Sequence, residues 1–353
     1  MIQSLHALRF IFALMVFLSH LNYVIPPENK FWSFLYRYIF REGYIGVTFF
    51  FVLSGYILAY RYSDAVSRKQ FSFRVFIDRR IARILPMYYV GLIVALPLSY
   101  HEFIEGDRIF YFKKLITNVF LVQSFIPIND YYFAFNGVSW SISTELFFYL
   151  CFPLLVRFLL KQKSIKKVFI GITISLLLIA TILINKENAY YWLYINPLFR
   201  IADFALGIGL FLWSNQIRII WTEKRALRWE YYAIGIFLLF FLIQPHVHAN
   251  FKVAVFYWIP ICFIIIVFAN SKGKISTFLS GNIWNYLGHL SFSFYLLHHS
   301  YLKYYQLYFM EDISSIWTGA SIAILLLISI VTSYVTYVYI EEPSRKYLRK
   351  KLT

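Results

Sequence analysis

The side chains best suited to chemistry are ionisable groups that lie inside long apolar runs of the sequence. They are Arg9, His20, Glu145, Asp203, His298 and His299. An ionisable group placed inside a membrane costs about 3 kcal/mol or more, so it usually faces the interior of a helix bundle and marks a pathway or a site. These positions are therefore the first candidates for a functional site.

Arg9 and His20 are eleven residues apart, which places them about 20° apart around a helix and about 16.5 Å apart along it. They therefore share one helix face at different depths. Imidazole titrates near neutral pH, so His20 could act as a general base. A hydrogen-bonded packing histidine is the alternative, and the spacing leaves both interpretations open.

Glu145 lies between Ser141 and Tyr149 at four-residue spacing, which makes a polar stripe on one helix. We expect Glu145 at a depth comparable to that of His20. A carboxylate at that depth could orient the imidazole and stabilise its protonated form. The alternative is a buried glutamate that only bonds a neighbouring helix.

A second polar stripe runs through Ser291, Tyr295 and His298, at spacings of four and three residues. It places a second imidazole near the middle of a span. Both a functional role and hydrogen bonding between helices fit this pattern.

Arg80 and Arg83 lie three residues apart at the start of another apolar helix. They would point the same way and could bind phosphates through paired donors. The alternative is that they only follow the tendency of Lys and Arg to accumulate in cytoplasmic loops.

The elements that carry these residues are predicted to be membrane-spanning helices. The chain has 353 residues, of which 60% are hydrophobic and 14% charged, whereas soluble domains are about 25% charged. Apolar runs long enough to cross a bilayer recur from end to end. The sequence therefore predicts an all-α membrane bundle as a single domain, 1–353, with spans at 5–25, 44–62, 82–100, 138–160, 168–184, 197–214, 229–243, 252–269, 287–309 and 316–340.

Several other classes are excluded by the same composition. The formal net charge is +17, but the basic residues fall between apolar runs and not along one soluble face, which argues against nucleic acid as a partner. Cys151 and Cys262 both lie inside apolar runs, so no disulfide and no metal site is expected. Residues 115–128 form a shorter apolar piece, which we expect to be re-entrant or interfacial, with an eleventh span as the alternative.

The basic residues also predict the orientation. Most of the 34 Lys and Arg residues fall in alternate loops, at 61–83, 157–167, 218–228, 272–274 and 345–351. Cytoplasmic loops are enriched in these residues. Both termini are therefore expected in the cytoplasm, with His20 and Glu145 in the outer third of the membrane.

Taken in order, these residues resemble the acyltransferase-3 family of bacterial membrane acyltransferases. The resemblance covers nearly the whole chain. It is carried by Arg9 with His20, Phe49–Tyr56 with Ser54, Arg80 and Arg83 with Pro86 and Tyr88, Trp140 and Ser141 with Glu145, Arg200 with Asp203 and Gly207, Ser291–His298 with Tyr295, and Glu342-Pro343 with Arg345.

The resemblance implies an acyl-CoA donor, acetyl-CoA in the first place, reached from the cytoplasm, and a glycan acceptor that is lipid-linked or part of a surface polysaccharide. It gives catalytic roles to Arg9, His20 and Glu145 and donor binding to Arg80 and Arg83. Asp203 departs from the family, which commonly has Glu there. We expect no further domain after the last span, and the acceptor to be met by the membrane domain or by a separate partner.

The predicted protein is thus a multi-pass O-acyltransferase of the bacterial cytoplasmic membrane, in contact with lipid. His20 could deprotonate the sugar hydroxyl or become acylated itself, and the sequence does not choose. A transporter or flippase of lipid-linked saccharides is the rival class, but it would often show two half-repeats with matching broken helices. A different membrane acyltransferase built around a buried His is a second rival, for which the arginines have no obvious use.

Overall fold

The computed structural model describes residues 3–162, 164–184, 186–216, 222–270, 272–310 and 315–352. Within these ranges the chain forms helices and connecting turns and no strand, so the predicted all-α class is confirmed. Two basic residues of the expected inner loops, Lys163 and Arg218, lie outside these ranges.

The α-helices of the described residues follow one another with short 3₁₀ and π turns between them. They are α1 (Gln3–Ser19), α2 (Lys30–Tyr38), α3 (Ile45–Ser67), α4 (Phe73–Ala95), α5 (Tyr100–Glu105), α6 (Arg108–Val119), α7 (Asn129–Tyr132), α8 (Trp140–Leu160), α9 (Ile165–Ile182), α10 (Pro197–Gln216), α11 (Glu223–Ile243), α12 (Ala249–Phe251), α13 (Trp258–Ala269), α14 (Lys274–Leu279), α15 (Asn282–Tyr308), α16 (Thr318–Thr336) and α17 (Glu342–Leu352).

Eight helical stretches of the described chain are long and apolar enough to cross a membrane. They coincide with eight of the ten predicted spans. Of the other two, 168–184 corresponds to a shorter apolar helix, Lys167–Ile182, and 287–309 lies within α15, whose apolar runs are interrupted by polar residues. The count of ten spans and the orientation stay predictions.

Residues 115–128 do not form one continuous helix. The helix α6 ends at Val119, Leu121 has a positive φ of 54°, and a 3₁₀ turn follows at Gln123–Phe125. At this break the Leu121 carbonyl accepts a hydrogen bond from Ser143 Oγ over 2.6 Å. This piece is therefore a helix end followed by a turn, and the described structure does not show it as one straight span.

The chain divides into two compact units built from alternating segments. The first unit comprises Met1–Arg9, Val47–Phe73 and Thr144–Gly288, and the second comprises Phe10–Gly46, Arg74–Ser143 and His289–Thr353. The first unit contains Arg9, Ser54, Glu145 and Asp203, and the second contains His20, Arg80, Arg83, Trp140, Ser141, Tyr295 and His298.

Two glycines allow α3 and α10 to cross closely in the first unit. A Cβ on Gly55 would overlap the carbonyl oxygen of Phe204, and a Cβ on Gly207 would overlap that of Val52. The two backbones thus meet where neither residue has a side chain, the arrangement common where membrane helices pack through small residues. The crossing fixes α3, which carries Ser54, against α10, which carries Asp203.

We expect Gly207→Ala to lower the free energy of unfolding by about 1–3 kcal/mol, because the added methyl group must push two packed backbones apart. Chemical unfolding of the purified protein in detergent measures the change. Gly235→Ala is the matched control, since a Cβ at that helix glycine meets nothing within 4 Å. Equal effects of the two substitutions would contradict the close crossing.

Candidate functional site

His20 lies directly after α1, inside the stretch Gln3–Tyr23 that is long and apolar enough to cross a membrane, as expected. The helix ends at Ser19, and His20 begins a 3₁₀ turn, Leu21–Tyr23, with φ −99° and ψ 7°. Its backbone N–H donates to the Phe17 carbonyl over 3.1 Å. The Val16 carbonyl is therefore not taken by the backbone N–H of residue 20 and can accept a bond from a side chain.

The imidazoles of His20 and His298 contact each other inside the second unit. His20 Nδ1 lies 2.9 Å from the Val16 carbonyl oxygen and 3.3 Å from His298 Nε2. His298 Nδ1 lies 3.1 Å from the Phe294 carbonyl oxygen. His298 is fully buried, and His20 is partly buried.

The hydrogen-bond partners show which ring nitrogen of each neutral imidazole carries the proton. A carbonyl oxygen can only accept, so Nδ1 of each imidazole carries the hydrogen. His298 Nε2 is then an acceptor for the Nδ1–H of His20, which it shares with the Val16 carbonyl. The lone pair of His20 is left on Nε2, and no described residue bonds to that atom. His20 is thus oriented by its Nδ1 side and presents a base on its Nε2 side.

Three further residues surround this imidazole. The His299 ring centroid lies 5.1 Å from that of His20 and 5.3 Å from that of Tyr23. Lys303 Nζ lies 5.9 Å from the Tyr23 ring centroid. His299 is buried, and its ring lies so close to Gly137 that a Cβ there would be 2.6 Å from Cε1.

Tyr23 and Lys303 were not identified as site residues from the sequence, although a signal existed. Tyr23 follows His20 by three residues and Lys303 follows His299 by four, so each shares a helical face with a histidine. Counting three residues on from His20 reaches Tyr23, and counting four on from His299 reaches Lys303. The same helical spacing that identified His298 could therefore have identified both residues.

The predicted stripe on α8 is divided between two sets of partners. Ser141 Oγ lies 2.7 Å from Tyr295 OH and donates to the Val138 carbonyl over 2.9 Å, while Tyr295 OH also reaches that carbonyl at 3.2 Å. Trp140 is buried at the first position of α8. These bonds join α8 to α15, the helix that carries His298, within the second unit.

Glu145 is held inside the first unit by two hydroxyl groups. Ser54 Oγ donates to Glu145 Oε1 over 3.1 Å, and Tyr149 OH donates to the same oxygen over 2.5 Å. Ser54 therefore acts as a partner of the candidate acid. The expected pairing of Glu145 with His20 joins residues of the two units and stays a prediction.

Asp203 forms a buried ion pair with Arg200, three residues earlier on α10. Arg200 Nη2 lies 3.0 Å from Asp203 Oδ2, and Trp258 Nε1 donates to Asp203 Oδ1 over 2.6 Å. The guanidinium also donates to Thr48 Oγ1 and to the Val253 carbonyl. Both carboxylate oxygens are thus engaged by side chains of the first unit, which favours a structural role for Asp203.

The three candidate arginines differ in burial. Arg80 is buried on α4 with its guanidinium 5.8 Å from the Phe76 ring centroid, whereas Arg83, one turn later, is partly buried. Arg9 is partly buried in the first unit. Guanidinium groups at two adjacent helix turns suit a polyphosphate ligand, but neither this role nor a catalytic one for Arg9 follows from the contacts.

Comparison with known proteins agrees with the resemblance. The model of the acyltransferase-3 family, described as an acyltransferase domain, matches residues 2–338. The chain is 25% identical to the acyltransferase MdmB of Streptomyces mycarofaciens over 99% of the chain and 93% of that protein. It is 26% identical to a protein of Staphylococcus aureus strain COL, named as an O-acetyltransferase, over 98% of the chain and 57% of that protein.

The chain thus spans little more than half the length of the staphylococcal relative. A protein of Acidianus two-tailed virus, named as an acetyltransferase, is 24% identical over 74% of the chain and 73% of that protein. No solved structure matches the chain.

We expect Ser141→Ala and Tyr295→Phe to be coupled by about 1 kcal/mol, because each substitution removes one end of the same buried hydrogen bond. Free energies of unfolding for both single variants and the double variant measure the coupling. Tyr89→Phe replaces Tyr295→Phe in the control cycle, since Tyr89 OH donates instead to the Val119 carbonyl. Additive effects in both cycles would mean that the Ser141–Tyr295 bond is absent.

Proposed function

The chain belongs to the acyltransferase-3 family, and on that premise we propose that it is a multi-pass membrane O-acyltransferase. It transfers an acyl group, acetyl in the first place, from cytoplasmic acyl-CoA to a hydroxyl of a cell-envelope or lipid-linked glycan. The names of the relatives support acyl transfer, and the staphylococcal and viral names support acetyl. Its location is the bacterial cytoplasmic membrane, with both termini inside.

The observation that carries the proposal is the His20 imidazole with its Nδ1 proton engaged. The Val16 carbonyl and His298 hold the ring by Nδ1, so Nε2 is the basic atom offered to a reactant. This is the arrangement that proton abstraction requires, namely a base held in one tautomer and one orientation by a second group.

In direct transfer, Nε2 takes the proton of the acceptor hydroxyl while that oxygen attacks the thioester carbonyl carbon. The carbon–sulfur bond then breaks, and the CoA thiolate leaves and takes a proton. In the relay version, Nε2 attacks the thioester first and the acceptor oxygen then displaces His20 from the acyl group. Lys303, whose ammonium lies beside Tyr23, is in this proposal the cation that stabilises the negative charge developing on the carbonyl oxygen.

The donor is bound, in this proposal, through Arg80 and Arg83 in the first half of α4. Acyl-CoA carries several phosphate charges, and Arg binds phosphate oxygens through paired donors. The pantetheine arm is long enough to carry the thioester from these arginines into the bundle. Glu145 and Arg9 are the further catalytic residues of this proposal, as the resemblance to the family implies.

We expect His20→Ala to lower acyl transfer at least about 100-fold, because it removes the general base, with the protein still folded. The assay is acceptor-dependent release of the CoA thiol by purified protein in detergent, with acetyl-CoA and saccharides extracted from the native envelope. His101→Ala is the matched control, since His101 is exposed on α5.

The outcomes of this assay distinguish an acyltransferase from a flippase, and direct transfer from the acyl-histidine relay. Full activity of a folded His20→Ala protein removes His20 from the mechanism. A flippase gives no thiol release with any native saccharide, and absence of turnover together with absence of donor binding would sink the enzyme proposal. One equivalent of thiol released without acceptor selects the acyl-histidine relay.

We expect Arg80→Ala and Arg83→Ala each to weaken acetyl-CoA binding about tenfold, because each removes a charge-assisted contact to phosphate. The effect on the rate of transfer at saturating donor is smaller. Titration calorimetry with acetyl-CoA measures the affinity. Arg74→Ala is the control on the same helix, since Arg74 is exposed. Unchanged acetyl-CoA affinity in both variants would mean that these arginines do not bind the donor and only follow the enrichment of basic residues on the cytoplasmic side.

A further inference from the structure

A cavity of about 400 Å³ lies within the second unit between α5, α6, the loop before α8 and the end of α15. This volume falls in the range of ligand-binding sites, roughly 300–1,000 Å³. Asn129, Asp130 and Gln306 are exposed at its edge, so the cavity opens to the surroundings. None of the residues assigned to the donor or to the His20–His298 pair lines it.

The lining is suited to a ligand that carries several hydroxyl groups. Its polar side chains offer a hydroxyl, amides, carboxylates and ammonium groups, from Ser99, Glu102, Asn129, Asp130, Lys303 and Gln306. Phe133 and Phe135 add apolar surface. A sugar ring needs this combination, because its hydroxyls both donate and accept while its C–H faces pack on apolar groups.

The charges of the lining balance. Lys114 is buried and forms an ion pair with Glu102, and although burial lowers the pKa of Lys114, the nearby Asp130 acts in the opposite direction. Asp130 and Lys303 form no ion pair with any described residue. Two carboxylates and two ammonium groups leave no net charge for the ligand to neutralise, so the cavity suits a neutral ligand.

Lys303 joins this cavity to the reaction centre. It lines the cavity, and its Nζ lies 5.9 Å from the Tyr23 ring centroid. The Tyr23 ring in turn lies 5.3 Å from that of His299 and 6.5 Å from that of His20. Lys303 and Tyr23 therefore lie between the cavity and the imidazole of His20.

One wall of the cavity is held in a strained backbone conformation. Phe135 has a φ of 58°, a conformation that costs a non-glycine residue about 1–2 kcal/mol. Its ring is buried and packs edge-on against Tyr111 with centroids 5.4 Å apart. Such strain persists where the surroundings fix it and is concentrated at binding and catalytic sites. The wall is thus formed before any ligand enters.

We propose that this cavity is the acceptor subsite and that it takes one neutral, polyhydroxylated sugar ring, with the hydroxyl to be acylated on the side of Lys303, which faces Tyr23 and His20. This assignment rests on the proposed function for the direction of the hydroxyl. Binding of the sugar to the cavity does not depend on catalysis, so it can be tested separately.

Saturation-transfer NMR tests binding with the purified full chain in an amine-oxide detergent, which carries no sugar. The probes are the methyl glycosides of glucose, galactose and N-acetylglucosamine, with methyl glucuronide as the acidic counterpart. We expect at least one neutral glycoside to bind, and Asp130→Asn and Gln306→Ala to weaken that binding about tenfold and about threefold, as loss of a charged and a neutral hydrogen bond implies. Glu105→Gln is the matched control, because Glu105 is exposed on α5 and does not line the cavity.

The same variants are then assayed for acetyl transfer to the glycoside that binds, where the KM for the acceptor should rise while acetyl-CoA affinity stays unchanged. Binding that depends on Asp130 but gives no transfer supports the subsite and counts against the enzyme. Transfer that needs His20 but is indifferent to Asp130 and Gln306 overturns the subsite alone. Failure of every glycoside to bind, or a preference for the glucuronide that is lost in Lys303→Met, overturns the assignment to a neutral sugar.

Discussion

The arrangement of the second unit depends on one constraint, which is that both imidazoles donate Nδ1–H to the carbonyl four residues earlier. For His298 this carbonyl, of Phe294, lies within α15 and can accept two bonds because it has two lone pairs. For His20 the Val16 carbonyl is available because α1 ends at Ser19 and the backbone N–H of His20 turns to Phe17. The carbonyl four residues earlier therefore fixes the tautomer of both rings, and that of Val16 also accepts a bond from Ser19 Oγ over 2.7 Å.

The loop before α8 packs against α15 and so links the two histidines to the rest of the second unit. Asn136 Nδ2 donates to the Leu296 carbonyl over 2.8 Å, and Gly137 provides the space into which the His299 ring fits. The preceding Phe135 takes the positive φ that this path requires. Ser141 then bonds Tyr295. The loop is thus fixed against α15 on the side of the histidines, and it forms the cavity wall on its other side.

Periodicity in the sequence predicted the helical class, eight of the spanning helices and the stripe through Ser291, Tyr295 and His298. It could not predict that α1 stops at Ser19, because no glycine or proline lies nearer than Pro26. It also could not identify Ser54 as a partner of Glu145, since that bond joins α3 to α8. A contact of this kind depends on how helices pack, and spacing along a single helix carries no information about it.

Both units contain buried polar atoms that hydrogen bonds satisfy only in part. In the first unit Arg200 and Asp203 compensate each other's charge, and Trp258 and Thr48 add hydrogen bonds, so part of their desolvation is offset, although Arg200 Nε has no hydrogen-bond partner within the described structure. A buried polar atom without a partner costs about 1–3 kcal/mol. His299 Nδ1 is such an atom within the described structure, and it belongs to a ring that contacts both His20 and Tyr23. A donor or acceptor left open at that position is satisfied when a hydroxyl-bearing reactant enters, which gives the second unit a reason to keep a third histidine beside the pair.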